Sequence, residues 1–192
     1  MSDPVSVNPV PALGGAAFDG FVNVREIGPW GMITLRAKPG TKGLEAAVKA
    51  AVGTAVPAVR RMEWSGDAAT GRGCGWMSPD EYLLVLPYAD VARAMAALDT
   101  ALAGEHHLAA DVSDARAIFR IEGAKADQVL AKLCPADLAR MQPAELRRTR
   151  VAQVAGAFWA AEGGYTLVSF RSVAGYVMGL LTHSAMAGSE LE

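Results

Sequence analysis

The chain has few of the residue types from which catalytic and metal sites are built. Its 192 residues include three histidines and two cysteines. Cys74 and Cys134 lie far apart and form no CxxC pair, so the spacing typical of a structural zinc site or a redox dithiol is missing. We therefore predict two free, mostly buried thiols in a reducing compartment.

The chain also lacks a basic excess and any long apolar run. It has 18 Lys and Arg residues against 20 Asp and Glu, a formal charge of −2, which disfavours a nucleic-acid partner. No apolar run reaches the ~20 residues that cross a bilayer. The N-terminal sequence MSDPVSVNPVPALGG lacks the basic and apolar regions of a signal peptide. We therefore expect a cytoplasmic protein with no membrane partner.

Apolar sequence is plentiful enough for a sizeable core. Hydrophobic residues make up 52% of the chain, and the mean hydropathy of +0.20 agrees with a surface hidden against a partner. Residues 1–20 hold three prolines and a Gly-Gly pair, which predicts an extended tail, either disordered or lying along a neighbouring subunit. We predict one pseudo-duplicated domain over 21–183, with halves at about 21–104 and 108–183, and a C-terminal tail over 184–192.

Apolar spacing predicts the order strand, helix, strand, strand, helix in each half. Alternation over 115–122 separates the apolar face of one strand from Arg116 and Arg120 on the other face, and Asp90 and Ser172 are predicted helix caps. Further strands are predicted over 21–26, 32–37, 58–64, 75–78, 82–86, 151–161 and 165–170. We predict an α+β fold of duplicated split βαβ-like (ferredoxin-like) units, with antiparallel sheets covered by helices.

The three histidines show no catalytic context. His106 and His107 are adjacent and follow a helix-ending glycine, which predicts a solvated connection. His183 is predicted to follow the last helix, where a cation favours the helix C-terminus. Since no Ser or Cys near them has the sequence of a nucleophile elbow, we predict no catalytic residue in this chain.

The sequence patterns typical of phosphate-binding and metal-binding sites are likewise absent. The glycines at 71, 73 and 75 lack both the Lys-Ser/Thr of a P-loop and GxGxxG spacing, and they lead into a strand, so a flexible hairpin is favoured. The carboxylates of Asp111 and Asp114, and of Asp80 and Glu81, have no His or Cys at ligand spacing and are more typical of turns. We predict no cofactor-binding or metal-binding residue.

Two groups of residues leave alternatives open. The run 147–150, Arg-Arg-Thr-Arg, either holds an anionic ligand or a partner's acidic face, or is a solvated strand entry; its shortness and lack of aromatics favour the second. Trp64 and Trp159 are predicted core residues. Trp30, in a turn, and Trp76, beside a loop, are either interface anchors or caps on the core.

Four segments in order resemble one known family. They are NVREIGPWGMITLRA from residue 23, WMSPDEYLL at 76–84, DVSDARAIFRIEGAKADQVLAKLCPADL at 111–138 and FRSVAGYVMGLL at 170–181. Together they resemble, over roughly 22–182, the gamma subunit of heterotetrameric sarcosine oxidase. The resemblance implies a fold similar to the folate-binding domain of the aminomethyltransferase (glycine-cleavage T protein) superfamily.

The resemblance also implies a non-catalytic role in the bacterial cytoplasm. The holoenzyme oxidatively demethylates sarcosine to glycine, reduces oxygen to hydrogen peroxide and passes the one-carbon unit to tetrahydrofolate. FAD, FMN, NAD and tetrahydrofolate are then expected on partner subunits and none on this chain, whose partners are the alpha, beta and delta subunits. We predict that Trp30, Trp76, Arg116 and Arg171 contact these partners.

Two alternatives from other classes remain at this point. The first is a stand-alone tetrahydrofolate-binding protein of the same superfamily, which needs a carboxylate for the pterin ring; Glu122 and Asp137 are the candidates. The second is a small enzyme with a dispersed constellation such as Asp111, Arg116 and His183.

Overall fold

Residues 8–66 and 71–191, which the computed structural model describes, form eleven strands and four α-helices. The strands are β1 (Ala17–Asp19), β2 (Asn23–Ile27), β3 (Trp30–Arg36), β4 (Met62–Ser65), β5 (Arg72–Ser78), β6 (Glu81–Pro87), β7 (Leu108–Asp111), β8 (Arg116–Glu122), β9 (Leu146–Val151), β10 (Val154–Ala161) and β11 (Gly164–Phe170). The helices are α1 (Leu44–Val52), α2 (Val91–Ala101), α3 (Ala126–Leu133) and α4 (Ala174–Ser184). Residues 1–7 of the predicted tail, 67–70 of the loop before β5, and residue 192 lie outside the described residues.

The strands form two antiparallel sheets that pack face to face. The first sheet has the order β4-β5-β6-β3-β7 and the second has the order β1-β2-β8-β11-β10-β9. Helices α1 and α2 cover the outer face of the first sheet, and α3 and α4 cover that of the second. A third apolar cluster lies between the sheets. The predicted α+β class, with antiparallel sheets covered by helices, is confirmed.

Each sheet with its helices is a split βαβ unit, but the strand that completes each sheet comes from a different part of the chain. In the first, β3-α1-β5-β6-α2-β7 follow one another in the chain, and their strands have the order β5-β6-β3-β7. In the second, β8-α3-β10-β11-α4 repeats this order, and β2 from the N-terminal region occupies the place that β7 has in the first. The sheets therefore depart from the predicted halves, since β2 belongs to the second sheet and β7 to the first.

Contacts beside the end of α4 hold β2 in the second unit. The Phe21 N–H donates to the Ala185 carbonyl at 2.9 Å, and the Lys132 ammonium of α3 lies 5.0 Å from the centre of the Phe21 ring. Val24, 1% exposed, packs in the core beneath the helices. Residues 17–19, within the predicted tail, form β1 because they pair with β2 at its open edge.

Two local predictions are wrong, each for a backbone reason, and one strand was not predicted. Asp90 and Ser172 make no cap bonds, because α2 and α4 are entered through 3-10 turns whose backbone bonds satisfy part of the helix start. The predicted strand 151–161 is the end of β9 and all of β10, because Ala152 adopts a φ of 49° in the turn between them. The strand β7 lies next to the predicted solvated connection at His107 and has no counterpart among the predicted elements.

Glycines allow the two sheets to approach closely. Gly73 and Gly75, predicted as a flexible hairpin, lie within β5 and are buried. A Cβ on Gly75 would lie 2.5 Å from Cδ1 of Leu146 in the second sheet and 2.8 Å from the Met62 sulfur. A larger residue at Gly75 would force the sheets apart, and one at Gly73 would clash with Trp64 of the neighbouring β4, so these glycines serve packing and not phosphate binding.

The sheets are also joined along one edge, where β4 meets β9. The Met62 N–H donates to the Ala144 carbonyl at 2.8 Å, and the Leu146 N–H donates to the Arg60 carbonyl at 2.9 Å. Glu145, 6% exposed, lies between these bonds and accepts a 2.8 Å hydrogen bond from the Gln142 N–H. Its carboxylate also pairs with Arg60 and Arg147.

The environment of Glu145 shifts its acidity. Burial acts to raise the pKa of its carboxyl group, but the hydrogen bonds from Gln142 and Arg60 and the charge of Arg147 outweigh burial and lower the pKa below its ordinary value. A carboxylate with a lowered folded-state pKa stabilises the fold above its unfolded pKa, and this stabilisation disappears as the pH falls through the folded pKa.

We predict that Glu145→Gln lowers the free energy of unfolding by about 1–3 kcal/mol near neutral pH, because charge-assisted hydrogen bonds at the sheet junction are lost. The deficit should be smaller at about pH 3, below the ordinary glutamate pKa of about 4.3, because protonation of the wild-type carboxylate increases as the pH falls toward its lowered folded-state pKa. Urea unfolding at both pH values measures it. Glu162→Gln, in the exposed turn between β10 and β11, is the matched control and should change little; an equal deficit for Glu145→Gln at both pH values would contradict the electrostatic explanation.

Candidate functional site

The strand alternation of β8 places Arg116 on the face that looks toward the first sheet. Ala117, Phe119 and Ile121 pack against the helices of the second unit, and Ile118 packs in the cluster between the sheets. Arg116 shares the face of Ile118, because side chains two residues apart in a strand point the same way. The predicted separation of the two faces is therefore confirmed.

Arg116 lines a narrow cavity between the sheets, the Arg116 cleft. Its volume is about 40 Å³. The first sheet contributes Glu81 and apolar side chains such as Met77 and Leu83, and the second sheet contributes Arg116, Arg148 and Phe170. The charged lining is thus two guanidinium groups and one carboxylate.

The carboxylate of this cleft is engaged by only one of the two arginines. Arg148 Nη1 lies 3.2 Å from Glu81 Oε2, an ion pair that joins β9 to β6 across the cleft. Arg116 lies instead over the Phe170 ring, with its guanidinium carbon 4.2 Å from the ring centre. Its Nε is buried and has no hydrogen-bond partner among the described residues. Burial lowers the pKa of Arg116; the Glu81 charge opposes this shift and the Arg148 charge adds to it.

Arg116 also borders a shallow groove that contains two more predicted interface residues. Trp30 and Arg171 line it together with Val10 and Pro29, and we call it the Trp30 groove. Three of the four predicted interface residues therefore lie together. Trp76, the fourth, is half-buried within β5 and packs toward α1 on the outer face of the first sheet.

Trp30 does not lie in the predicted turn, whereas Trp76 lies in a strand, as the predicted strand over 75–78 requires. Trp30 begins β3 and pairs with Pro87 of β6, and both tryptophans are half-buried. Trp159, 1% exposed, is a core residue as predicted, and Trp64 lies half-buried against it, with ring centres 6.2 Å apart. The large apolar side chains that are exposed are Val10, Val59, Leu108, Phe170, Tyr176, Met186 and Leu191.

Arg171 contacts the chain's own N-terminal segment. Its guanidinium donates to the Val10 carbonyl at 2.9 Å and to the Pro11 carbonyl at 3.4 Å. Glu26, 5% exposed, accepts hydrogen bonds from the Leu13 N–H at 2.9 Å and the Gly15 N–H at 3.0 Å. This part of the predicted tail therefore lies against its own domain, because a guanidinium fork and a buried carboxylate bind its backbone groups.

The dispersed constellation Asp111, Arg116 and His183 is not assembled. His183 is exposed in the last turn of α4, inside the helix and not after it. That helix covers the outer face of the second sheet, whereas Arg116 lies on the inner face. Asp111 accepts hydrogen bonds from the N–H and hydroxyl of Ser113.

The carboxylates proposed for a pterin ring have other partners. Glu122 pairs with Arg25 at 2.9 Å and with Arg120 at 3.1 Å. Asp137 is largely exposed and lies 3.5 Å from Arg140. Neither lines the Arg116 cleft, whose volume is about 40 Å³, and neither lines the two wider surface depressions of about 310 and 300 Å³.

The remaining candidate residues have structural positions. Cys74 and Cys134 are free and buried as predicted; burial raises the pKa of Cys134 to about 12 and that of Cys74 further, so both thiols are neutral.

The histidines and the arginine run of β9 lie at or near the surface. His107 Nδ1 lies 3.0 Å from the Glu105 carbonyl, and His106 is exposed. Arg148 and Arg150 are exposed on β9, as the solvated-strand interpretation requires, whereas Arg147 pairs with Glu145 at 2.9 Å.

Residues 8–66 and 71–191 contain neither a cluster of metal-ligating side chains nor a helix suited to span a membrane. No three His, Cys, Asp or Glu side chains gather there as they would around a metal ion. Within the same ranges, none of the helices combines the length and apolar character needed to span a membrane.

Sequence comparison relates the chain to one family. Residues 36–186 match the family described as "Sarcosine oxidase, gamma subunit family". A protein of Arthrobacter sp named "Sarcosine oxidase subunit gamma" is 35% identical over 127 residues, which are 66% of this chain and 60% of that protein. The protein of the same name from Corynebacterium sp. (strain U-96) is 39% identical over 120 residues, 61% of this chain and 55% of that protein. The matched region thus spans less than two thirds of these relatives.

Structure comparison agrees with the sequence comparison. A chain of the heterotetrameric sarcosine oxidase from Corynebacterium sp. U-96, solved in complex with pyrrole 2-carboxylate, superposes with a TM-score of 0.75 at 29% identity, covering 85% of this chain and 83% of that chain. The glycine cleavage system aminomethyltransferase T from Bartonella henselae superposes with a TM-score of 0.63 at 13% identity, covering 84% of this chain and 45% of that chain. This second likeness is one of fold, which the sequence predicts.

We predict that Arg171→Gln frees the N-terminal segment without unfolding the domain. Loss of the bonds to the Val10 and Pro11 carbonyls should speed chymotrypsin cleavage after Leu13 by about fivefold or more, since cleavage follows local opening. The global free energy of unfolding should fall by less than about 1.5 kcal/mol. Arg25→Gln, which removes an exposed ion pair, should leave cleavage unchanged. Unchanged cleavage in Arg171→Gln would show that Arg171 does not hold this segment.

Proposed function

The chain belongs to the sarcosine oxidase gamma subunit family, and on that premise we propose that it is the non-catalytic gamma subunit of a heterotetrameric sarcosine oxidase. The observation that carries the proposal is the superposition of 85% of this chain on a chain of such a heterotetramer. The family match over residues 36–186 supports it from the sequence.

In this proposal the chemistry takes place on the other subunits. The alpha, beta and delta subunits carry FAD, FMN, NAD and tetrahydrofolate, demethylate sarcosine to glycine, form hydrogen peroxide and transfer the one-carbon unit, all in the bacterial cytoplasm. The described part of this chain supports the division of labour: its two thiols are neutral, and Glu122 and Asp137 are held in ion pairs.

The role of the chain is then to stabilise the assembly. A permanent interface of this kind typically buries more than ~2,000 Å², and it stabilises both sides by mass action. We place part of this interface at the Trp30 groove, because three predicted interface residues, Trp30, Arg116 and Arg171, line the groove together with the exposed Val10. The half-buried Trp76 belongs to a different face, so a clamp that uses both tryptophans spans two faces of the domain.

Co-purification tests the proposed function. The tagged chain is expressed with the other three subunits of its own organism, and the eluate is assayed for flavin absorbance and for sarcosine-dependent hydrogen peroxide. We expect one of each subunit, yellow colour and activity, and a colourless, inactive product when the chain is expressed alone. Elution of the tagged chain by itself from the co-expressing cells would reject the proposal.

Alanine substitutions test the predicted interface residues. Trp30→Ala and Trp76→Ala should each raise the dissociation constant of the chain from the assembly about tenfold or more, because tryptophan is a frequent interface hot spot. Each variant should still unfold cooperatively, since both side chains are half-buried and not central to the core. Tyr176→Ala, on the exposed face of α4, serves as the control. Wild-type affinity in both tryptophan variants would reject them as interface residues.

A further inference from the structure

We propose that the Arg116 cleft is a receptor for a carboxylate side chain, an Asp or Glu that a neighbouring subunit inserts when the oxidase assembles. The inference rests on the proposed function, and it adds the chemistry of one contact. Four observations lead to it: the orientation of the guanidinium, the charge balance of the cleft, its size, and its surroundings.

The guanidinium of Arg116 is held in a fixed orientation. Arg116 and Phe170 are directly paired across β8 and β11, so the ring supports one face of the planar group, 4.2 Å away. Stacking of this kind is favourable for arginine and leaves its N–H groups directed sideways. The edge of the guanidinium therefore stays available for a planar, bidentate acceptor such as a carboxylate.

The charge balance of the cleft leaves one positive charge without an ion pair. Glu81 pairs with Arg148 at 3.2 Å, and no described carboxylate lies within ion-pair distance of Arg116. Three other arginines whose side chains are less than a third exposed each have a carboxylate partner. These pairs are Arg72 with Asp90, Arg120 with Glu122, and Arg147 with Glu145.

An unpaired and partly buried cation is costly for a fold to keep. Removing a charged group from water is unfavourable unless it gains a partner, and the Arg116 Nε is a buried donor with no acceptor among the described residues. A carboxylate that entered from another polypeptide would supply the ion-pair partner that the guanidinium lacks. The assembled state would then gain a hydrogen-bonded ion pair in a site that is already partly buried, and burial of the remaining surface by the partner would strengthen it.

The size of the cleft selects the incoming group. A water-sized group needs roughly 10–15 Å³, so a cavity of about 40 Å³ accepts about three such groups, which corresponds to the three heavy atoms of a carboxylate. The apolar walls at Met77, Leu83 and Val168 suit the methylene stem of Asp or Glu. A pterin or flavin ring system is too large for it.

The surroundings of the cleft favour a polypeptide over a free anion. Phe170 is 45% exposed beside the cleft, and Val10, 58% exposed, lies along the adjoining Trp30 groove. Exposed apolar side chains around a desolvated charge resemble the ring of contacts that excludes water from an interface hot spot. A subunit surface would cover Phe170 and fill the cleft at once, whereas a free anion would leave the ring in water.

Substitution of Arg116 tests the inference in the assembled oxidase. Arg116→Gln should raise the dissociation constant of the chain from the other subunits by about 30-fold or more, the cost of leaving one partner of a buried charge pair alone. Arg116→Lys keeps the charge but loses the planar fork, so its dissociation constant should lie between those of wild type and Arg116→Gln. The control Arg25→Gln removes an exposed arginine that pairs with Glu122 and should change affinity less than about threefold.

A second readout separates docking from folding. The midpoint of thermal unfolding of the isolated Arg116→Gln chain should be unchanged or higher, because an unpaired desolvated cation has been removed. A purely structural arginine would instead lower both the midpoint and the affinity, and that result would overturn the inference, as would wild-type affinity in Arg116→Gln.

Acetate distinguishes the source of the carboxylate. Titration of the isolated full-length chain, followed by the NMR signal of the Arg116 Nε–H, should show weak binding at millimolar concentrations or above, and none in Arg116→Gln. A dissociation constant well below 1 mM would make a free small carboxylate the occupant and overturn the partner side chain. Failure of the wild-type chain to join the other subunits would reject the proposed function and the partner together, whereas normal assembly with normal affinity in Arg116→Gln rejects the cleft alone.

Discussion

The structure depends on one topological constraint: each split βαβ unit needs a strand beside its first strand. The first unit obtains β7 from the chain that directly follows α2. The second unit receives β2 from the opposite end of the described chain, and the bond from Phe21 to Ala185 holds β2 next to the end of α4. The strand that completes the second unit, β2, precedes the first unit in the chain, and the strand that completes the first unit, β7, directly precedes the second. The two units therefore fold as one domain, with their sheets face to face.

The contact between the sheets determines what the polar residues of their inner faces can do. Where glycines such as Gly75 allow close approach, the space is filled by apolar side chains. Further along the same faces, Glu81, Arg116 and Arg148 meet in a cavity too small for a cofactor. The Glu81–Arg148 pair bridges the sheets, so the packing that builds the fold also leaves Arg116 partly buried and without a carboxylate partner among the described residues.

A gamma-subunit role fits a domain in which several reactive side chains have structural positions. Cys74 and Cys134 are buried as neutral thiols, and Glu145 joins the two sheets instead of facing a ligand. Arginines with a carboxylate beside them stabilise the fold. In the proposed assembly, Arg116, which has no carboxylate partner among the described residues, offers its hydrogen-bonding capacity to a neighbouring subunit.

Apolar periodicity was sufficient to predict the helices, most strands, the duplicated unit and the polar side of β8 with Arg116, because these depend on residues close together in sequence. The sequence did not predict that β2 joins the second sheet and β7 the first, since the residues of a strand do not by themselves specify the sheet in which it pairs. The tail contact of Arg171 and the unpaired state of Arg116 were equally hidden. Whether a charge has a partner is decided by residues distant in sequence, and only tertiary packing brings those residues together or keeps them apart.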